Sequence, residues 1–276
     1  MSAGVAESAN DAEAKLIELA GEAWRAFDAA ASFASVTRPS MPILFFGDVR
    51  RYLASRLRIV TVGLNPSDQE FLGGEPFQRF RGLAHDTARD PRSYIEALAR
   101  YFSGDPHWDW FRHFRQLLAE LDANYEADES NQQSSTVLHT DICSPLATTP
   151  TWSKIEKRRI LDTERESLIS AGTQLWEELM RQLRPNVAIF SARRDLCQEH
   201  SFEPVGDWRT LHTVTTNQSG GLRRNGPYAI SSRWHRIEDQ RCLFVQCPNR
   251  IPPLQIGGMD KSTAGRKIKR LLSSGP

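Results

Sequence analysis

No stretch of the 276-residue chain reaches the ~18 consecutive apolar residues that a membrane-spanning helix needs, and the N-terminus MSAGVAESANDAEA has neither the basic nor the apolar region of a signal peptide. The expectation is a cytoplasmic protein without membrane contact. Cysteine is scarce. Cys143, Cys197, Cys242 and Cys247 form no C-x-x-C pair, which fits reduced, mostly buried thiols better than a disulfide framework or a zinc or iron–sulfur site. There is no Gly-rich phosphate loop, no internal repeat and no low-complexity linker. Net charge is nearly absent too: 35 Lys and Arg against 34 Asp and Glu leave +1, which excludes a uniformly basic, histone-like coat.

The distribution of charge is another matter. Residues 1–35 carry six acids against Lys15 and Arg25, whereas 220–276 carry eleven bases against three acids, a net of +8. Such a segment is either a solvated basic surface or a polyanion-binding face. With 39% hydrophobic residues the length suits one large globular domain or two small ones.

Apolar residues at helical spacing (Leu16, Leu19, Ala23, Phe27) predict an amphipathic helix over 12–34. Further helices are expected over 91–102, 108–125 and from about residue 151 to 183. Short β-rich runs at 58–63, 136–142, 186–191 and 241–246 read as buried strands. Strands of this kind alternating with helices predict an α/β protein, three-layer α/β/α, around a central, mainly parallel sheet of about four strands. Residues 1–276 read as a single domain with an N-terminal helical extension over 1–40 and an insertion over 208–236, a hairpin or a long loop pair. Ligands of such sheets bind at the carboxyl ends of the strands.

There the first strand is followed by Gly63-Leu64-Asn65-Pro66-Ser67 and then Gly74-Glu75-Pro76-Phe77, the second ends at Thr140-Asp141, and the fourth runs into Cys247-Pro248-Asn249-Arg250-Ile251. Singly, each has an ordinary reading: Asn-Pro is a turn, Phe77 a core aromatic, Asp141 a turn cap or arginine partner, and the last run a Pro-rich turn with Ile251 in the core. Together, in this order, they resemble the uracil-DNA glycosylase superfamily over about residues 55–272. At the first motif the match is to the mismatch-specific and single-strand-selective branches, with Ser67 in place of the last Gly of Gly-x-Asn-Pro-Gly.

The resemblance implies a monofunctional DNA glycosylase that flips a base out of duplex or single-stranded DNA. Asn65 would hold the attacking water; an Asn orients water through its carbonyl oxygen but is no general base. Phe77 would stack on the base, with Gly63, Leu64, Pro66 and Cys247 around it. Ser67, Asn249 and Arg250 would contact DNA, and Ile251 would wedge into the stack. Lys261 and Lys267, with Arg266, Lys269 and Arg270, would grip phosphates, and Thr148, Thr149 and Thr151 would add phosphate contacts or cap a helix. Asp141 departs from the Asn common in uracil-removing relatives. An ionised Asp only accepts hydrogen bonds, which suits the N4 amine of cytosine and repels uracil O4. A cytosine-type substrate is therefore favoured; the superfamily includes bacterial defence enzymes that excise bulky modified cytosines from phage DNA, and with Ser67 and Cys247 the resemblance implies that branch. An ordinary uracil or mismatch repair glycosylase and a catalytically inactive DNA-binding relative remain as alternatives. His139 reads as a satisfied strand histidine. No metal, no cofactor and no obligate protein partner is expected.

Overall fold

The structure, a computed structural model, describes residues 3–126, 134–192, 195, 200–217, 219–223, 226–246 and 256–275. Its helices are α1 (Ala3–Ala29), α2 (Val49–Ala54), α3 (Pro91–Ala99), α4 (Trp108–Phe111), α5 (Arg115–Ala119), α6 (Trp152–Ile155), α7 (Asp162–Leu183) and α8 (Gly258–Ser274). The strands are β1 (Ile59–Gly63), β2 (Ala123–Asn124), β3 (Ser135–Asp141), β4 (Val187–Phe190), β5 (Glu203–Val214), β6 (Tyr228–Ile237) and β7 (Gln240–Gln246).

The protein is α/β, as the alternation of strands and helices requires. The four expected strands are β1, β3, β4 and β7, but the expectation of about four strands is corrected: the sheet has seven and is mixed, in the order β2-β3-β1-β4-β7-β6-β5. β1 pairs with β4 and β4 with β7 in parallel, as β2 does with β3, whereas β6 lies antiparallel to both β7 and β5. The segment over 208–236 thus extends the sheet as a long hairpin. Of its strands, β5 buries only Leu211 and Val214, and β6 mixes buried with partly exposed positions, so they lack the pattern of a doubly covered strand. β1, β3 and β4 are buried at every residue, β1 and β4 with mostly apolar side chains, β3 with Ser135, Thr136, His139, Thr140 and Asp141 among its seven.

The chain weaves through two compact units, one of residues 1–47, 64–106 and 140–183, the other of 48–63, 107–139 and 184–276. In the first, α1 packs on α3 and α7 and buries Leu16, Leu19, Ala23, Trp24 and Phe27. The second holds the sheet, with α5 against α8. The helix expected over 108–125 is broken into α4 and α5. Between them, His113 N and Phe114 N bond back to Trp110 O and Phe111 O, a tighter winding that buries both Phe111 and Phe114. No helix among the described residues is long and apolar enough to cross a membrane.

Candidate active site

In the first unit, two turns that follow strands are tied together by a backbone bond. Gly63 closes β1, and the next carbonyl, of Leu64, accepts from Cys143 N at 2.8 Å, two residues beyond Asp141. On this tie stands Asn65. Its Nδ2 donates to Pro66 O (3.1 Å), Leu146 O (3.2 Å) and Thr148 Oγ1 (3.1 Å). Two of these partners are carbonyls, which only accept, so the amide orientation is forced: the NH2 faces the protein. Oδ1 takes no hydrogen bond from any described residue and is left as the acceptor.

Thr148, 1% exposed, is thereby a support for Asn65 rather than a phosphate contact or a cap. Thr149 bonds Thr37 and Asp68, and Thr151 precedes α6 without a side-chain capping bond. Exposed Ser67 caps the 3-10 turn Asp68–Gly74 by accepting from Gln69 N at 3.1 Å, and Pro66 is buried. Phe77 is half-buried and meets His85 edge-on at 5.1 Å between centroids, while its neighbours Phe71 and Phe80 fill the core. Asp141 is the last residue of β3 and 8% exposed.

Sequence reasoning missed Glu70, which sits in the 3-10 turn five residues past Asn65 and is 4% exposed. Its Oε2 accepts from Tyr101 Oη at 2.7 Å and lies 3.9 Å from Arg79 Nε. Burial pushes its carboxyl up to about 7; the Tyr101 hydroxyl and Arg79 pull the other way, and the charge of Asp141 adds to the rise. Nothing in a polar loop marks one glutamate as buried. A proton held more tightly in the folded chain than at the ordinary value of 4.5 stabilises fully below that value and is lost as pH rises through about 7. Wild type should therefore lose about 3 kcal/mol relative to Glu70→Gln between pH 4.5 and 8, read from urea midpoints across that range. A constant difference would remove Glu70 as the titrating group.

α7 holds this region from behind with one face. Gly172 abuts the Cys143–Ser144 backbone, Thr173 Oγ1 donates to Ile142 O at 3.3 Å, and Trp176 Nε1 donates to Thr140 Oγ1 at 3.1 Å. The chain around Asp141 is thus pinned on both sides of the residue.

In the second unit, His139 is 3% exposed and its Nδ1 pairs with Thr61 Oγ1 at 2.9 Å, which also meets Tyr125 Oη at 2.8 Å. It is a satisfied strand histidine. Lys261 is 9% exposed, its ammonium makes no hydrogen bond or ion pair with a described residue, and burial pushes that ammonium down. Lys267 is half-buried on α8. Cys247, Asn249, Arg250 and Ile251 lie outside the described residues. Among the described residues no three His, Cys, Asp or Glu side chains stand together in a metal-holding group. No protein-family model, no curated protein and no solved structure matches the chain.

Proposed function

We propose that the protein is a monofunctional DNA glycosylase of the uracil-DNA glycosylase type, three-layer α/β/α, which excises a modified base and leaves an abasic site. The observation that carries this reading is the locked amide of Asn65, whose carbonyl oxygen alone is left to orient a water. The C1′–N1 bond breaks with its electron pair leaving on the base, the water held at Oδ1 adds to C1′, and the proton which that water sheds passes to the departing base, giving a neutral base and an abasic sugar. Since Asn takes no proton, catalysis rests on stabilising the oxocarbenium-like sugar and the departing base. Phe77, outside the core, supplies the stacking ring.

Asp141 and Glu70 favour cytosine over uracil. A carboxylate accepts from the N4 amine, and a carboxyl that keeps its proton up to about pH 7 can donate to the N3 acceptor beside it. Uracil presents the opposite pattern at both atoms. No lysine adjoins Asn65, so a Schiff-base lyase step is not part of the reading. A role against phage DNA and a cytoplasmic location go with it, and it calls for no metal and no cofactor.

The test is a panel of oligonucleotides carrying uracil, thymine mismatches, 5-hydroxymethylcytosine or its glucosylated form, followed by alkaline cleavage of abasic sites. Release of a modified cytosine with uracil left intact is the expected result, and Asp141→Asn should shift the ratio toward uracil by about tenfold or more. An unchanged ratio rules out Asp141 as the reader. Release of uracil by wild type favours a repair enzyme, and DNA binding without any abasic site favours an inactive relative.

A further inference from the structure

In the second unit, the cations of α8 divide between two faces. Arg266 Nη1 lies 3.1 Å from Glu120 Oε1 and Lys269 Nζ 2.7 Å from Asp122 Oδ2, so acids at the end of α5 and just beyond it answer both. The Lys267 ammonium and the Arg270 guanidinium, each one residue further on, have no hydrogen-bond or ion-pair partner among the described residues. They line a groove of about 540 Å³ between α8 and the β5–β6 hairpin, together with Arg209 of β5, which is equally unpartnered.

Asp207 is the one acid in that lining, and Arg233 is already engaged, stacked on Trp208 at 4.7 Å and bonded to His235. Leu243 and Leu271 give the groove apolar surface. Trp234 lines it as well, half-buried, with no ring or cation packed on its indole among the described residues. Lys267 and Arg270 precede the last turn of α8, which holds no basic residue, so the negative pole of the helix does not account for them, nor for Arg209 on the strand opposite. Three unneutralised cations around apolar surface and an open indole match a ligand that joins anionic groups to planar apolar ones.

We propose that this groove binds single-stranded nucleic acid, its phosphates at Arg209, Lys267 and Arg270 and a base against Trp234. In a duplex the base faces are already stacked, whereas an unpaired strand offers both the phosphate and the ring face. The groove adds a contact to the glycosylase reading and does not rest on it, because binding is measured without base excision.

The experiment is fluorescence anisotropy of a labelled oligothymidylate of about 20 nucleotides, titrated at several salt concentrations. The triple variant Arg209→Ala/Lys267→Ala/Arg270→Ala should bind about tenfold more weakly at low salt, with the salt slope reduced by about 2, the share of three single-strand phosphate contacts. Trp234→Ala should weaken binding about fivefold or more at an unchanged slope, and Trp234→Phe should recover most of the loss. Arg266→Ala/Lys269→Ala, which removes two cations of the other face, should stay within about twofold. Circular dichroism checks that each variant folds.

Wild-type affinity and slope in the triple variant would overturn the proposal. So would an acidic peptide that displaces the oligonucleotide as well as unlabelled DNA does. An inactive protein that binds through the groove would sink the glycosylase reading alone, and base excision without any effect of the triple variant on binding would sink this one alone.

Discussion

Asn65→Ala is expected to lower single-turnover base release by about 100-fold or more on whichever substrate is cut, with thermal stability close to that of wild type. The magnitude is that of removing one preorganised polar group from a site where charge develops. Stability should change little because the lost bonds are exchanged in part for water at a half-exposed side chain. Asn65→Asp is not a mild replacement. It keeps the oxygen but turns a second, charged one toward Leu146 O and Pro66 O, where the amide now donates. Thr148→Val separates orientation from chemistry: it removes one of three acceptors and should cost about fivefold in rate, with binding of the abasic product unchanged. Full activity in Asn65→Ala would mean that the water is held elsewhere and that the site is misassigned.

The second large effect runs against helix propensity. In most helices Gly→Ala stabilises by about 1 kcal/mol. At Gly172 of α7, an alanine Cβ would stand 2.1 Å from Cys143 O, 2.4 Å from Cys143 C and 2.7 Å from Ser144 Cα. All three are backbone atoms and cannot swing aside as a side-chain end would. Either the helix or the turn after Asp141 must move, and Gly172→Ala should cost about 3 kcal/mol or more, read from urea unfolding. Cys143 N is also the donor that ties this turn to Leu64 O, so any folded fraction should excise poorly even at low temperature. Ala171→Ser, one position away and exposed, provides the control and should stay within about 0.5 kcal/mol. A Gly172→Ala protein as stable as wild type would show that α7 does not constrain the turn.

Much of this architecture was legible in local pattern. The four short β-rich runs became β1, β3, β4 and β7; in β1, β4 and β7 coverage of both faces leaves a mostly apolar stretch that any short window shows, whereas β3 is fully buried with five polar side chains. The helix at the start was equally plain, since its apolar stripe repeats over several turns. β5 and β6 fall largely within the insertion expected over 208–236, since β5 buries little and its pairing with β6 is broken by register shifts between Val205 and Arg209 and between Thr210 and His212, so neither carries a plain strand pattern. The expected helix over 108–125 failed for a different reason. Its aromatic residues satisfy a helical stripe, and Phe111 and Phe114 are both buried, but the i→i−3 bonds from His113 N and Phe114 N interrupt the helix between α4 and α5.

At the candidate site, the sequence by itself determined the residue types and their order: Asn65 after the first strand, Phe77 twelve residues on, and Asp141 at the end of another strand. These follow from chain connectivity, which places strand ends and the residues after them. Only the tertiary structure decided which way the Asn65 amide faces, that Glu70 is buried within reach of the charge of Asp141, and which cations of the basic C-terminal segment have partners among the described residues. Each of those depends on partners far along the chain, Leu146 and Thr148 for Asn65, Tyr101 for Glu70, Glu120 and Asp122 for Arg266 and Lys269. A charge count along the chain adds every base in the segment alike. Coulomb attraction acts across space, so among the described residues acids answer two cations on one face of α8 and none answers the two on the next.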